Sequence, residues 1–193
     1  MDMNGLKLFM VIIGCTPKGR FTEQHDVFFG IGKTLHELVD QMIDFWKEAE
    51  GKIHIDAWRQ IKNVDGYVVE IRERSDVVNE DRLKLFFINL GGYKENEFEE
   101  YHYKIVTAAK DKGEAIRKSK QTAFYKHCGF KGAESHIDDK YGIDVDDLYG
   151  IEDILPAYIK EKYSISLSPA ENALNDALHI GYLKIDKLKN SRV

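Results

Sequence analysis

The chain opens on a short apolar run, LFMVII at residues 8–13, and a second run of the same kind, LKLFFINL, spans residues 83–90. Both are rich in Phe and Ile and carry little internal alternation. Continuous apolarity over that length predicts central strands covered on both faces. Each run leads into a loop of about ten residues, beginning at Gly14 or Gly91, and then into a second strand, HDVFFGI or YHYKIVTA. Loops of that length between two strands are longer than a hairpin needs, which makes them candidates for a functional surface.

The period then changes from strand to helix. Thr34 and Glu37 form a capping box, and Leu35, Leu38, Val39, Met42, Ile43 and Trp46 recur at helical spacing to make one apolar face. A second helix is predicted to open with Asp111 and Glu114, to carry Ile116, Ala123 and Phe124, and to end near Gly129. Ser119 and Lys120 stand where the first helix has Met42 and Ile43, so its apolar face is thinner. After the first helix, Ile53, Ile55 and Ala57 alternate with His54, Asp56 and Trp58, and Asn63-Val64-Asp65-Gly66 supplies a turn before YVVEI. A hairpin is expected there. Near the end, Ser168-Pro169-Ala170-Glu171 combines an N-cap, a first-turn Pro and a third-position Glu ahead of Leu174 and Leu178, which predicts a short helix running to His179 and stopped by Gly181.

Laid on itself, the chain repeats once. At a shift of 77 residues Lys7, Leu8, Phe9, Gly14, Phe21, Glu23 and His25 meet Lys84, Leu85, Phe86, Gly91, Phe98, Glu100 and His102. At a shift of 82, His54, Ile55, Asp56, Ile61, Asp65 and Tyr67 meet His136, Ile137, Asp138, Ile143, Asp147 and Tyr149. The expected organisation is a first repeat at 5–72, a second at 82–154 and a C-terminal extension at 155–193. The expected fold class is α+β: two tandem β-β-α-β-β repeats packed with pseudo-twofold symmetry, plus a short C-terminal helix. One repeat alone would bury only about 60% of its unfolded surface against about 70% for both together, so the repeats are expected to form one compact body.

Charge narrows the partners. Among 193 residues, 28 Lys and Arg face 33 Asp and Glu, for a net charge of -5. A phosphate-backbone binder needs a basic face, so no nucleic acid partner is expected. No apolar stretch is long enough for a membrane span or a signal-peptide core, and a cytoplasmic location without membrane contact is the expectation. Cys15 and Cys128 lie far apart without a Cys-x-x-Cys spacing and are expected as reduced thiols.

The sharpest chemical candidate is the set Glu23, His25, His54 and Asp56, with Glu100, His102, His136 and Asp138 as its second edition. In an extended strand, residues i and i+2 share a face, so Glu23 pairs with His25 and His54 with Asp56. Two imidazoles and two carboxylates suit zinc, manganese or ferrous iron, and an open position would activate water. The plainer alternative is four polar residues at strand ends, each satisfied by nearby backbone. Gly30-Ile31-Gly32-Lys33-Thr34 has the ending of a phosphate-binding loop, but the loop's first glycine would fall at Val27, inside a strand. Thr34 as a helix cap accounts for those residues better. Cys15 near His25 is a weak nucleophile pair, because the matching position of the other copy is Gly92. The acidic stretch at 134–153 lacks the EF-hand order and is expected as a solvated face. Four aromatics of the long loops, Phe21, Tyr93, Phe98 and Tyr101, are candidates to line a ligand cleft.

Together, the strand ending in Gly91-Gly92-Tyr93, the Glu-x-His that follows it, the segment His54-Ile55-Asp56-Ala57-Trp58 and Val64-Asp65-Gly66-Tyr67 resemble the bacterial domain-of-unknown-function family 1543 over about residues 6 to 154. The first copy departs from the pattern at Cys15 and Thr16, and the second at Asp139-Lys140 and Leu148. The resemblance implies kinship of fold and brings no activity, cofactor or catalytic residue with it. The functional expectation is a binding module for a small ligand or a protein, compatible with a homo-oligomer. Its alternative is a metal-dependent hydrolase using the paired Glu/His and His/Asp ligands. No cofactor is expected, a divalent metal being the exception that the alternative requires.

Overall fold

In the computed structural model, which describes residues 5–75, 82–93, 96–122, 145–171 and 174–190, the apolar runs become the central strands of two separate sheets. The fold is mixed α+β, with ten strands in three antiparallel sheets among the described residues. Two compact units result, one made of residues 1–75 with 155–193 and the other of residues 76–154.

In the first unit, β1 (Lys7–Cys15) pairs antiparallel with β2 (Gln24–Gly32) on one side and β3 (His54–Ile61) on the other. The edge beyond β3 is taken by β10 (His179–Lys184), giving the order β10-β3-β1-β2. Leu8, Phe9, Met10, Val11 and Ile13 are all buried, which explains why β1 shows no alternation. Its odd-numbered side joins Phe28, Leu38, Met42 and Ile55 in the main core. Over that core lie a 3-10 turn at His36–Leu38 and helix α1 (Val39–Phe45). The Thr34 hydroxyl accepts from the Glu37 N–H at 3.4 Å, and the Glu37 carboxylate accepts from the Lys33 N–H at 2.7 Å, so the expected cap is present.

The predicted turn is also present, with Asp65 at φ 51° and Gly66 at φ 81°, both in the left-handed region that a two-residue hairpin turn demands. Its hairpin differs from expectation. β5 (Tyr67–Glu73) pairs only with the two-residue β4 (Asn63–Val64), leaves β3, and joins β9 (Tyr163–Pro169) in a three-stranded sheet ordered β4-β5-β9.

That pairing also overturns the helix expected from Ser168 to His179. Ser168 and Pro169 end β9, opposite Val68 and Tyr67, and Pro at a strand's last position needs no ladder donor. The following chain is held irregular by Asp176, whose carboxylate accepts from the Lys62 and Asn63 N–H groups. His179 to Lys184 then form β10, with Gly181 at φ 140° where its register shifts, and the C-terminal helix, here α5, comes later at Ile185–Asn190. Two short helices, α3 (Ile151–Ile154) and α4 (Ala157–Lys160), precede β9.

The second unit carries a sheet ordered β7-β6-β8, from β6 (Lys84–Tyr93), β7 (Glu100–Ala109) and β8 (Val145–Gly150). Phe86, Ile88, Leu90, Ala109 and Ala115 make its core. Helix α2 (Lys112–Ser119) starts from Asp111, which accepts from the Glu114 N–H at 2.8 Å while Glu114 accepts from the Lys110 N–H at 2.9 Å. Of the described helices, none is long and apolar enough to cross a membrane.

Candidate metal centre

One register row builds the site. Gly14, near the end of β1, is paired with His25 of β2 on one side and with His54 of β3 on the other. Paired residues on neighbouring strands project from the same face, so the two imidazoles flank a position that has no side chain. The vacancy is necessary: a Cβ on Gly14 would stand 2.7 Å from His54 Nε2, 2.8 Å from Asp56 Oδ2 and 3.0 Å from His25 Cδ2.

Asp56 reaches the row through a β-bulge. Ile13 pairs with Ile55 and Ile12 with Ala57, leaving Asp56 as the extra residue of β3. A bulge turns the strand locally and re-aims a side chain. Ile55 and Ile53 stay in the core while His54 and Asp56 face the other way. Glu23 approaches from the loop just before β2.

The four side chains converge. His54 Nε2 lies 3.0 Å from Glu23 Oε1 and 3.3 Å from Asp56 Oδ1, and His25 Nε2 lies 3.3 Å from Asp56 Oδ2 and 3.5 Å from Glu23 Oε2. One donor atom each from Glu23, His25 and His54 falls within 4.8 Å of the others. These are ion-pair separations without hydrogen-bond alignment, since His54 Nε2 and Asp56 Oδ2 are buried and make no hydrogen bond. The His54 side chain is only 9% exposed, whereas Glu23 and His25 are each 44% exposed. The cluster therefore has a dry floor and a solvent-facing side. Such an arrangement of imidazole nitrogens and carboxylate oxygens is what a divalent first-row cation takes up.

Sequence alone singles out these four residues but leaves out three neighbours. Gly14 was legible only as the start of a loop. Tyr182 and Lys184 come from the tail, which has no repeat to draw attention to it. The Tyr182 ring lies 4.5 Å, centroid to centroid, from the His54 ring, and Lys184 is the register partner of His54 on β10.

In the second unit, His102 stands opposite Gly91, and Glu100 opens β7 opposite Tyr93. β8 takes against β6 the register that β3 takes against β1, with its own irregularity between Asn89 and Leu90, so the extra residue is Asp146. The uniform sequence shift points instead to His136 and Asp138, which lie outside the described residues, as does most of the acidic stretch. Among the loop aromatics, Phe21 and Phe98 are fully exposed, Tyr93 is half-buried at the end of β6, and the Tyr101 hydroxyl donates to the Glu97 carboxylate.

Two other candidates are resolved by their surroundings. Gly30 and Gly32 lie within β2, and the Glu37 carboxylate already holds the Lys33 N–H that a phosphate would need. Cys15 is buried in the core on the opposite face from Gly14, and burial, reinforced by the nearby Glu23 carboxylate, pushes its thiol up. A thiol so placed stays protonated and does not serve as a nucleophile at neutral pH.

Comparison with known proteins finds a family match over part of the chain. Residues 20–71, which carry all four converging side chains, match the model of a Domain of Unknown Function, DUF1543. A crystal structure of protein Il1583 from Idiomarina loihiensis is similar in fold, with a TM-score of 0.62 and 20% identity over 93% of this chain and 97% of that one. No curated protein matches the chain.

Proposed function

We propose that this chain is a metal-binding module in which Glu23, His25, His54 and Asp56 hold one divalent cation and leave a solvent-facing position for a ligand. The observation that carries this reading is the pair of buried atoms, His54 Nε2 and Asp56 Oδ2, that lack hydrogen bonds and converge over the side-chain-free Gly14. Burying polar atoms without partners costs free energy, and a cation at their meeting point removes that cost. The donor set, two nitrogens and two carboxylates, favours zinc, manganese or ferrous iron over calcium.

A second reading, a metal-dependent hydrolase, draws on the exposure of Glu23. With His25, His54 and Asp56 as ligands, Glu23 is the carboxylate nearest solvent and the natural general base for a bound water. The family match lies within the first repeat. We extend it to two tandem copies because the bulge in β8 falls at the same place as the bulge in β3.

The test is elemental analysis of untagged protein purified without chelator and then incubated with each metal. Near-stoichiometric metal is expected for the natural chain, falling at least about tenfold in occupancy for His54→Ala and Asp56→Asn with the circular dichroism spectrum retained. A natural chain that stays empty, or variants that keep their metal, would overturn the reading.

A further inference from the structure

We propose that the open side of this metal centre receives an oxyanion, a carboxylate or phosphate group, held between the cation and Lys184 with Tyr182 beside it. The inference rests on the metal reading above and deepens it. Four strands contribute to one row: His25 on β2, Gly14 on β1, His54 on β3 and Lys184 on β10. Leu183 packs against the core, so by strand alternation Lys184 projects to the opposite face, where His54 points. Tyr182, two residues earlier on the same face, lies against the His54 ring and is 63% exposed.

Charge then selects the ligand. Glu23 and Asp56 contribute two negative charges, which a dication neutralises, and the imidazoles contribute none as ligands. The remaining formal charge on the row is that of Lys184, which is exposed and makes no ion pair among the described residues. A neutral centre with one uncompensated ammonium on the same register row is complementary to a single anionic group. An oxyanion satisfies both at once, one oxygen on the metal and another accepting from the ammonium, with the phenol of Tyr182 as a further donor.

Cobalt(II) makes this measurable, because its visible bands report what enters the coordination sphere. The full chain is loaded with Co2+ and titrated separately with inorganic phosphate and with acetate. The natural protein is expected to show saturable band changes with at least one of them, and the tighter of the two identifies the class. Lys184→Ala is expected to bind Co2+ equally well, with the same anion-free spectrum, and to need about tenfold more anion for half-saturation. Lys184→Arg is expected to recover most of that loss, since it restores the charge. Tyr182→Phe should weaken the anion less than Lys184→Ala. If the natural chain takes up no Co2+, the metal site falls and the anion site with it. If Co2+ binds but neither anion perturbs it, or Lys184→Ala titrates like the natural chain, the anion site alone is overturned.

Discussion

At the scale of single residues, the most informative position is one without a side chain. Gly14 is surrounded by His54, Asp56 and His25 at contacts a Cβ would make too short, and two of the three atoms belong to the converging set. A backbone atom cannot move aside cheaply, but these side chains can swing outward. Gly14→Ala is therefore expected to spare the fold and spoil the site. Its melting temperature should stay within a few degrees of the natural chain while its metal occupancy falls by about tenfold, as displaced ligands generally cause. Unchanged occupancy, measured by elemental analysis, would mean that the glycine serves only the strand.

At the scale of elements, the 3-10 turn that leads into α1 and the helix α2 open on the same device. Thr34 with Glu37 and Asp111 with Glu114 each accept backbone N–H groups that the helix leaves over. In α2 the hydrogen bond from the Lys110 N–H holds the Glu114 carboxyl below its ordinary value, and the Lys118 ammonium adds to it. The sign follows directly. A carboxyl lowered by folding adds stability above its ordinary titration range, and that contribution is lost as the pH falls through its folded value. Glu114→Gln is thus expected to melt lower than the natural chain at neutral pH, the difference closing in acid. Asp111→Ala should cost about 1 kcal/mol at neutral pH, the usual worth of an N-cap. Thermal denaturation across the pH range checks both. A gap that widens in acid would contradict the assignment.

At the scale of the whole molecule, the extension after residue 154 is part of the first unit's architecture. β9 gives β5 its partner and β10 covers the outer edge of β3, while Ile185 enters the main core. A chain ending at Ile154 would leave two sheet edges open and a gap in that core. Exposed edges template aggregation. Such a chain is expected to melt at a lower temperature and to scatter light on concentration, whereas a melt unchanged from that of the full chain would show that the extension is dispensable.

What the sequence by itself determined is whatever depends on neighbours along the chain. The apolar runs of β1 and β6, the two capping boxes and the Asp65-Gly66 turn are local signals, and each is present where its residues predict. The i, i+2 spacing of Glu23 with His25 and of His54 with Asp56 was legible for the same reason, because spacing is local. What only the tertiary structure decided is whatever depends on partners distant in sequence. Ser168-Pro169-Ala170-Glu171 reads as a helix start until β5 claims Ser168 and Pro169 as ladder partners, and long-range pairing outweighs a cap worth about 1 kcal/mol. YVVEI reads as the return strand of a hairpin until β9 supplies a longer edge. The convergence of the four side chains needed both Gly14 between the histidines and a bulge at Asp56, and neither a register nor a bulge is written in composition or period. Lys184 stood in the C-terminal extension, which has no counterpart in the repeat. Only the sheet brought it beside His54, because a strand's neighbours are set by hydrogen bonding across space rather than by order along the chain.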